Sequence, residues 1–269
     1  MRKTGKRSAS SEVLAKRSEA SRANLYSEIT DRIIADLERG CVPWVKAWGS
    51  AKAALGLPKN AAGRTYSGIN ILILWGAVIE NGYPGQHWLT FRQALSLGGN
   101  VRKGEHGTTI VHADRFIPKT EKERAREEDI EPQAVPFLKR FAVFNVAQCE
   151  GLPDEFYSQP EPLPEREIIP QARGAHSGFA LARDLSGSFG TKAYAREELT
   201  AEITAAFVCS SLGIEPTVRH ADYIASWLAV LREENRAIFR AASLASKAAD
   251  FLLAFQANGE TEAQQGIAA

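Results

Sequence analysis

GYPGQHWLTFRQALSLGGNVRKGEHGT, residues 82–108, sets the fold. Thr90-Phe-Arg-Gln93 has the spacing of a capping box, in which the Thr hydroxyl and the Gln amide each satisfy a backbone N–H that a helix start leaves open. The helix that begins there stops at Gly98-Gly99, and VRKGEHG, residues 101–107, is a basic turn leading into a strand. Downstream, Thr108 to Phe116 and Phe137 to Ala147 are rich in Ile, Val and Phe and read as two strands. The charged run between them, Lys119 to Glu131, reads as a solvated loop or insert. Upstream, Gly68 to Glu80 reads as a helix ending at Asn81-Gly82. Before it, Leu25, Ile29, Ile33 and Leu37 recur every four residues as one apolar helix face that Gly40 and Pro43 terminate. Cys41 to Asn70 is irregular. Helices combined with a strand pair predict an α+β domain.

The rest of the chain is organised around this domain. Residues 1–22 are basic, with few large apolar groups, and read as a disordered arm. The domain itself spans 23–153. Residues 154–174 are rich in Pro and form a linker. Residues 175–269 are helical: Glu197 to Leu212 is closed by Gly213, a long Ala-rich pattern from Ala221 to Phe255 carries a break near Asn235, and the tail is polar. Net charge is +1 over 269 residues, but residues 1–150 carry 23 Lys and Arg against 16 Asp and Glu, whereas 151–269 carry 10 against 16. A basic first half can attract a polyanion, and an acidic second half points to a different role. Three cysteines without a C-x-x-C exclude a disulfide framework and fit a reducing cytoplasm. No apolar run reaches the roughly 20 residues of a membrane span, and the basic start lacks the apolar core of a secretory signal.

Two constellations carry chemistry. Trp44, Lys46, Trp48, Lys59, Asn60, Arg64, Tyr66 and Asn70 crowd the irregular segment, and Trp88, Arg102, Lys103, Lys139 and Arg140 follow. Single-stranded nucleic acid is held by cations that track phosphates and by aromatic faces on which bases stack. A large aromatic is more often core than stacking platform, so only about a third of these aromatics are expected to be surface contacts. The second constellation is Glu198 and Glu202, one helical turn apart. They could join a metal site only with histidines, yet His87, His106, His112, His176 and His220 contain no pair at i,i+4 and none is followed by Glu. The H-E-x-x-H zinc signature is therefore missing. Phosphate-loop, dinucleotide and serine-hydrolase signatures are missing too, and nothing pairs Cys41 or Cys149 with a base, so no catalytic residue is assigned.

LYSEITDRIIADLERGCVPW, GRTYSGINILILW, the stretch at 82–108 and FLKRFAVFNVAQCEGLP together resemble the N-terminal domain of ArdC-type antirestriction proteins, which plasmid TraC primases also carry. The resemblance implies single-stranded DNA binding in a plasmid or other mobile element, shielding incoming DNA during conjugative transfer. ARDLSGSFGTKAYAREELTAEITAAFVCSSLGI and the helical segment after His220 resemble the end of the family's zincin-like metallopeptidase domain. PLPEREIIPQA, which looks like that domain's start, runs almost directly into RGAHSGFALARDLSG, so the segment with the H-E-x-x-H helix is missing. By this resemblance Glu198, or else Glu202, matches a downstream metal ligand, and His176 matches a histidine that follows the lost helix. The expectation is a cytoplasmic single-stranded DNA-binding protein with a truncated, inactive metallopeptidase-like remnant and no cofactor. The rivals are a zinc-dependent metallopeptidase with a site rebuilt from His176, Glu198, Glu202 or a partner's residues, and a decayed fragment that binds nothing.

Overall fold

A computed structural model of the chain describes residues 25–46, 56–157, 191–214 and 223–266. The basic arm, Trp48, most of the Pro-rich linker, His176 and His220 lie outside the described residues. The described part of α1 covers 25–38. It is followed by α2 (Pro43–Lys46), β1 (Lys59–Asn60), α3 (Ile69–Asn81), β2 (His87–Leu89), α4 (Phe91–Ser96), β3 (Asn100–Val101), β4 (Thr108–Phe116), α5 (Lys119–Glu127), β5 (Val135–Asn145) and β6 (Cys149–Glu150). After the linker come α6 (Lys192–Leu212), α7 (Ile224–Glu233) and α8 (Ala237–Gly266). The fold is α+β, as expected.

The local signals explain most of these elements. Thr90 caps α4 through the full reciprocal box: its side chain accepts from the Gln93 N–H, and Gln93 Oε1 accepts from the Thr90 N–H at 2.8 Å. Gly82 ends α3 at φ 65°, in the left-handed region where a side chain would be strained. The break near Asn235 separates α7 from α8, with Glu234 in an extended conformation. The run from Lys119 corrects the loop reading. It forms α5, whose charges pair along the helix (Arg124 to Glu121, 3.1 Å) while Ala125 is buried. The second strand ends at Asn145, where a second capping box, Asn145 with Gln148, turns the chain into a 3-10 helix over Val146–Gln148.

The main sheet has the order β1-β2-β5-β4, with β1 parallel to β2 and the other pairs antiparallel. β4 and β5 form a long hairpin in register from Thr108 opposite Val143 to Phe116 opposite Val135. One face of the sheet, carrying Trp88, Ile110 and Val143, packs on Leu74, Ala77 and Val78 of α3.

The principal hydrophobic core runs across the Pro-rich stretch instead of stopping at it. Leu25, Ile29, Ile33 and Leu37 of α1, Trp44 of α2 and Trp75 of α3 join Leu199, Ile203 and Phe207 of α6, Trp227 of α7 and Ile238 of α8. The rings of Trp75 and Phe207 lie 5.6 Å apart, edge to face. Polar groups pin the same seam: Thr30 donates to the Asn235 carbonyl at 2.7 Å, Asn235 donates to Ser27 Oγ at 3.0 Å, and the Gly68 N–H donates to Ser246 Oγ at 2.7 Å. Each fully buried large side chain contributes about 1.5–3 kcal/mol, so the C-terminal helices are part of what stabilises the N-terminal ones.

Candidate nucleic-acid interface

Strand alternation sorts the site residues by face. Lys59 lies opposite His87, and Leu89 opposite Phe144. Lys59, His87, Leu89 and Phe144 therefore share the sheet face away from Trp88 and Val143. This second face is half covered. Leu89 is buried with Ala94, Val146, Cys149 and Leu152 under α4 and the β3-β6 pair, whereas Ala142 and Gly107 are exposed beside Phe144. Burial, together with the Lys59 charge, pushes the His87 imidazole below its ordinary value.

The expected DNA-binding residues divide sharply. Lys59, Arg64, Lys103 and Lys139 are exposed, as cations that meet phosphates must be. Lys139 belongs to the opposite sheet face from Lys59, on the distal hairpin opposite His112. Asn60 is used locally: its Oδ1 accepts from the N–H groups of Ala62 (2.9 Å) and Arg64 (3.1 Å), which shapes the turn that presents Arg64.

Four of the expected contacts are structural. Trp44 is a correction. It is 0% exposed and packs 5.7 Å from Trp227, because α2 turns it into the shared core. Trp88 is a second: at 0% exposed it lies between the sheet and α3, with Tyr83 edge-on at 5.8 Å. Tyr66 is half-buried against both of these clusters, and that burial pushes its phenol pKa up. Asn70 faces the edge of β4, donating to the Val111 carbonyl at 2.8 Å and accepting from the Val111 N–H at 2.9 Å. The side chain of Lys46 is outside what is described.

Arg102 is also engaged by the protein. Its guanidinium donates to the Ala147 carbonyl and to Glu105 Oε1 at 3.0 Å. Gln148 closes the other side, donating to Glu105 Oε2 and to the His106 carbonyl, each at 2.9 Å. The hydrogen bonds from Gln148 and Arg102 hold the Glu105 carboxyl below its ordinary range. The 102–107 turn is thereby fixed with Lys103 pointing outward.

Sequence reasoning missed the exposed apolar groups. Phe91 and Leu95, one turn apart on α4, are each 50% exposed, and Phe141 is 43% exposed beside His112. Their periodicity gave no warning, because α4 is only six residues long and Phe141 continues the alternation of the buried Val143 and Asn145.

With this geometry in hand, comparison with known proteins is decisive. Residues 23–144 match the N-terminal domain of anti-restriction factor ArdC, and residues 174–244 match a zincin-like metallopeptidase family. The crystal structure of the antirestriction protein ArdC from plasmid R388, in its metal-free form, is 33% identical with a TM-score of 0.70, covering 87% of this chain and 98% of that one. The chain belongs to the ArdC antirestriction family. The Mn(II)-bound structure of the same R388 protein gives 34% identity, a TM-score of 0.66, and coverage of 85% and 97%. The uncharacterized protein y4eC of Sinorhizobium fredii is 33% identical over 91% of this chain and 96% of its own length. A DNA primase TraC of Escherichia coli is 29% identical over 86% of this chain, which spans only 27% of the primase. The y4eC alignment runs over 305 residues, more than the 269 of this chain, so the relative contains residues with no counterpart here.

The described residues do not fit a metal. Among them, no three His, Cys, Asp or Glu side chains converge on a point. Glu198 instead accepts a hydrogen bond from Tyr194, one turn earlier on α6, and this pushes the Tyr194 hydroxyl up to about 12. Tyr223 joins the same hydrogen-bonded group. Among the described residues no helix is long and apolar enough to cross a membrane.

Proposed function

We propose that this chain is a single-stranded DNA-binding antirestriction protein of a plasmid or other mobile element, acting in the cytoplasm to shield incoming DNA during conjugative transfer, without peptidase activity. The observation that carries this reading is the set of exposed cations around one sheet, Lys59 on β1 and Lys139 on β5 with Arg64 and Lys103 on turns beside it. They are presented by a domain that matches the N-terminal domain of an anti-restriction factor. Phosphate contacts fix position without reading sequence, so binding should be nearly indifferent to base identity. The missing H-E-x-x-H signature supports the loss of peptidase chemistry, and among the described residues no three His, Cys, Asp or Glu side chains gather around Glu198.

The test is a titration of labelled single-stranded and duplex oligonucleotides at several salt concentrations. Tighter binding to the single strand, with log affinity falling linearly in log salt, is expected from counterion release. Equal affinity for both forms, or affinity insensitive to salt, overturns the proposal.

A further inference from the structure

The tryptophans of the basic segment are unavailable for stacking where they are described, yet beside the half-covered sheet face an exposed Phe91 on α4 meets the partly buried Phe144 of β5. Phe91 projects from α4 with half its surface in solvent, and the Phe144 ring stands 6.4 Å away at 63°. α4 uses Ala94 and Leu97 for its packing, so Phe91 and Leu95 form its outer edge. Phe144 rests on Gly107: a Cβ there would sit 3.1 Å from its ring and 3.2 Å from the Ala142 Cβ. Gly107 and Ala142 thus leave a shallow floor beside the two rings. Arg92 is exposed next to Phe91, Lys59 occupies the same sheet face as Phe144, and the nearby Glu105 is neutralised by Arg102. A large apolar side chain left in solvent among cations is an informative exposure.

From this arrangement we infer that Phe91 and Phe144 are the base-stacking residues of the interface, holding a nucleobase of single-stranded DNA over the Gly107–Ala142 floor while Arg92 and Lys59 meet the flanking phosphates. The inference rests on the single-stranded DNA reading above. It commits to a nucleic-acid occupant because the exposed charges argued from are cationic, Arg92 following Phe91 on α4 and Lys59 on the same sheet face as Phe144, which complements a phosphate backbone.

The experiment measures affinity for an oligothymidylate and for the same backbone made abasic. The full-length wild type is compared with Phe91→Ala, Phe91→Trp and Phe144→Leu, with thermal melts and sedimentation run alongside. The wild type should lose affinity for the abasic strand. Phe91→Ala should bind oligothymidylate about fivefold more weakly or worse, with an unchanged salt slope and unchanged affinity for the abasic strand. Phe91→Trp should restore the loss, and Phe144→Leu, which keeps the apolar volume but not the ring face, should repeat it. If the wild type prefers the base-bearing strand while Phe91→Ala and Phe144→Leu bind as tightly as wild type, the inference is overturned and the single-stranded DNA reading stands. If Phe91→Ala abolishes a dimer without changing DNA affinity, the patch is a self-association surface and the inference is again overturned. If the wild type does not bind single strands at all, the underlying reading fails with it.

Discussion

The side-chain amide of Asn70 meets Val111 as a neighbouring strand would, giving one hydrogen bond to its carbonyl and taking one from its N–H. β4 is an edge strand, and the contact from α3 closes that edge where another chain could otherwise pair. Asn70→Ala removes both bonds and leaves two backbone groups of Val111 poorly satisfied. The expected loss is about 2 kcal/mol of stability, read as a lower denaturation midpoint, with DNA affinity of the folded fraction unchanged. Weaker binding at wild-type stability would return Asn70 to the interface.

Trp44 gives a comparable separation of roles. Trp44→Ala opens a cavity between α2 and Trp227 in the core shared by both ends of the chain, so a loss of about 3–5 kcal/mol is expected. Because α1, α3 and α7 meet there, the melt should fall as a whole instead of in two steps. A melt that loses only a C-terminal transition would show that the core is not shared.

For the exposed cations the expected signature is electrostatic. Arg64→Ala and Lys103→Ala should each weaken binding about equally across sequences and make the single-strand salt slope shallower by about 0.7. Arg102→Ala should instead loosen the 102–107 turn, because its guanidinium serves the Ala147 carbonyl and Glu105. Amide exchange at residues 102–107 would detect that loosening.

These contrasts show where the sequence was legible. Helix ends were, because Thr90 with Gln93 and Gly82 act through backbone geometry that the sequence encodes locally. Asn145 with Gln148 has the same spacing as Thr90 with Gln93 and could have placed the end of β5. The destination of each aromatic was not legible. Trp44 is in the core because of Trp227, some 180 positions away, and no local pattern reports such a partner. Phe91 and Phe141 are the complementary case: each stays about half exposed among the described residues, and no local pattern reports that either.

His87 adds a pH dependence whose sign follows from its surroundings. Burial first, and the Lys59 charge second, lower its pKa below the ordinary 6.5, so the unfolded chain takes up a proton more readily than the folded one. Its contribution to stability is complete above 6.5 and is lost as pH falls from there through the folded value. His87→Gln should flatten that part of the stability profile, measured by chemical denaturation between about pH 5 and 8. An unchanged profile in the variant would assign the acid sensitivity to another group.

The last expectation concerns Glu198. A catalytic zinc takes three protein ligands and leaves a position for water. Here the carboxylate that the family resemblance would supply is bound by Tyr194, whose pKa of about 12 keeps the hydroxyl proton in place as a donor at any physiological pH. A metal at Glu198 would find no complete set of three ligands among the described residues. Dialysed protein should therefore hold less than about 0.1 zinc per chain, following the dependence of affinity on a complete, deprotonated ligand set, and should show no chelator-sensitive cleavage of casein. Tyr194→Phe tests the structural role directly: if the hydroxyl links Glu198 of α6 with Tyr223 at the start of α7, its removal lowers stability and leaves the zinc content unchanged. A stoichiometric zinc that disappears in Glu198→Ala would instead mean that residues beyond the described ones complete a site, and the chain would then be read as an enzyme.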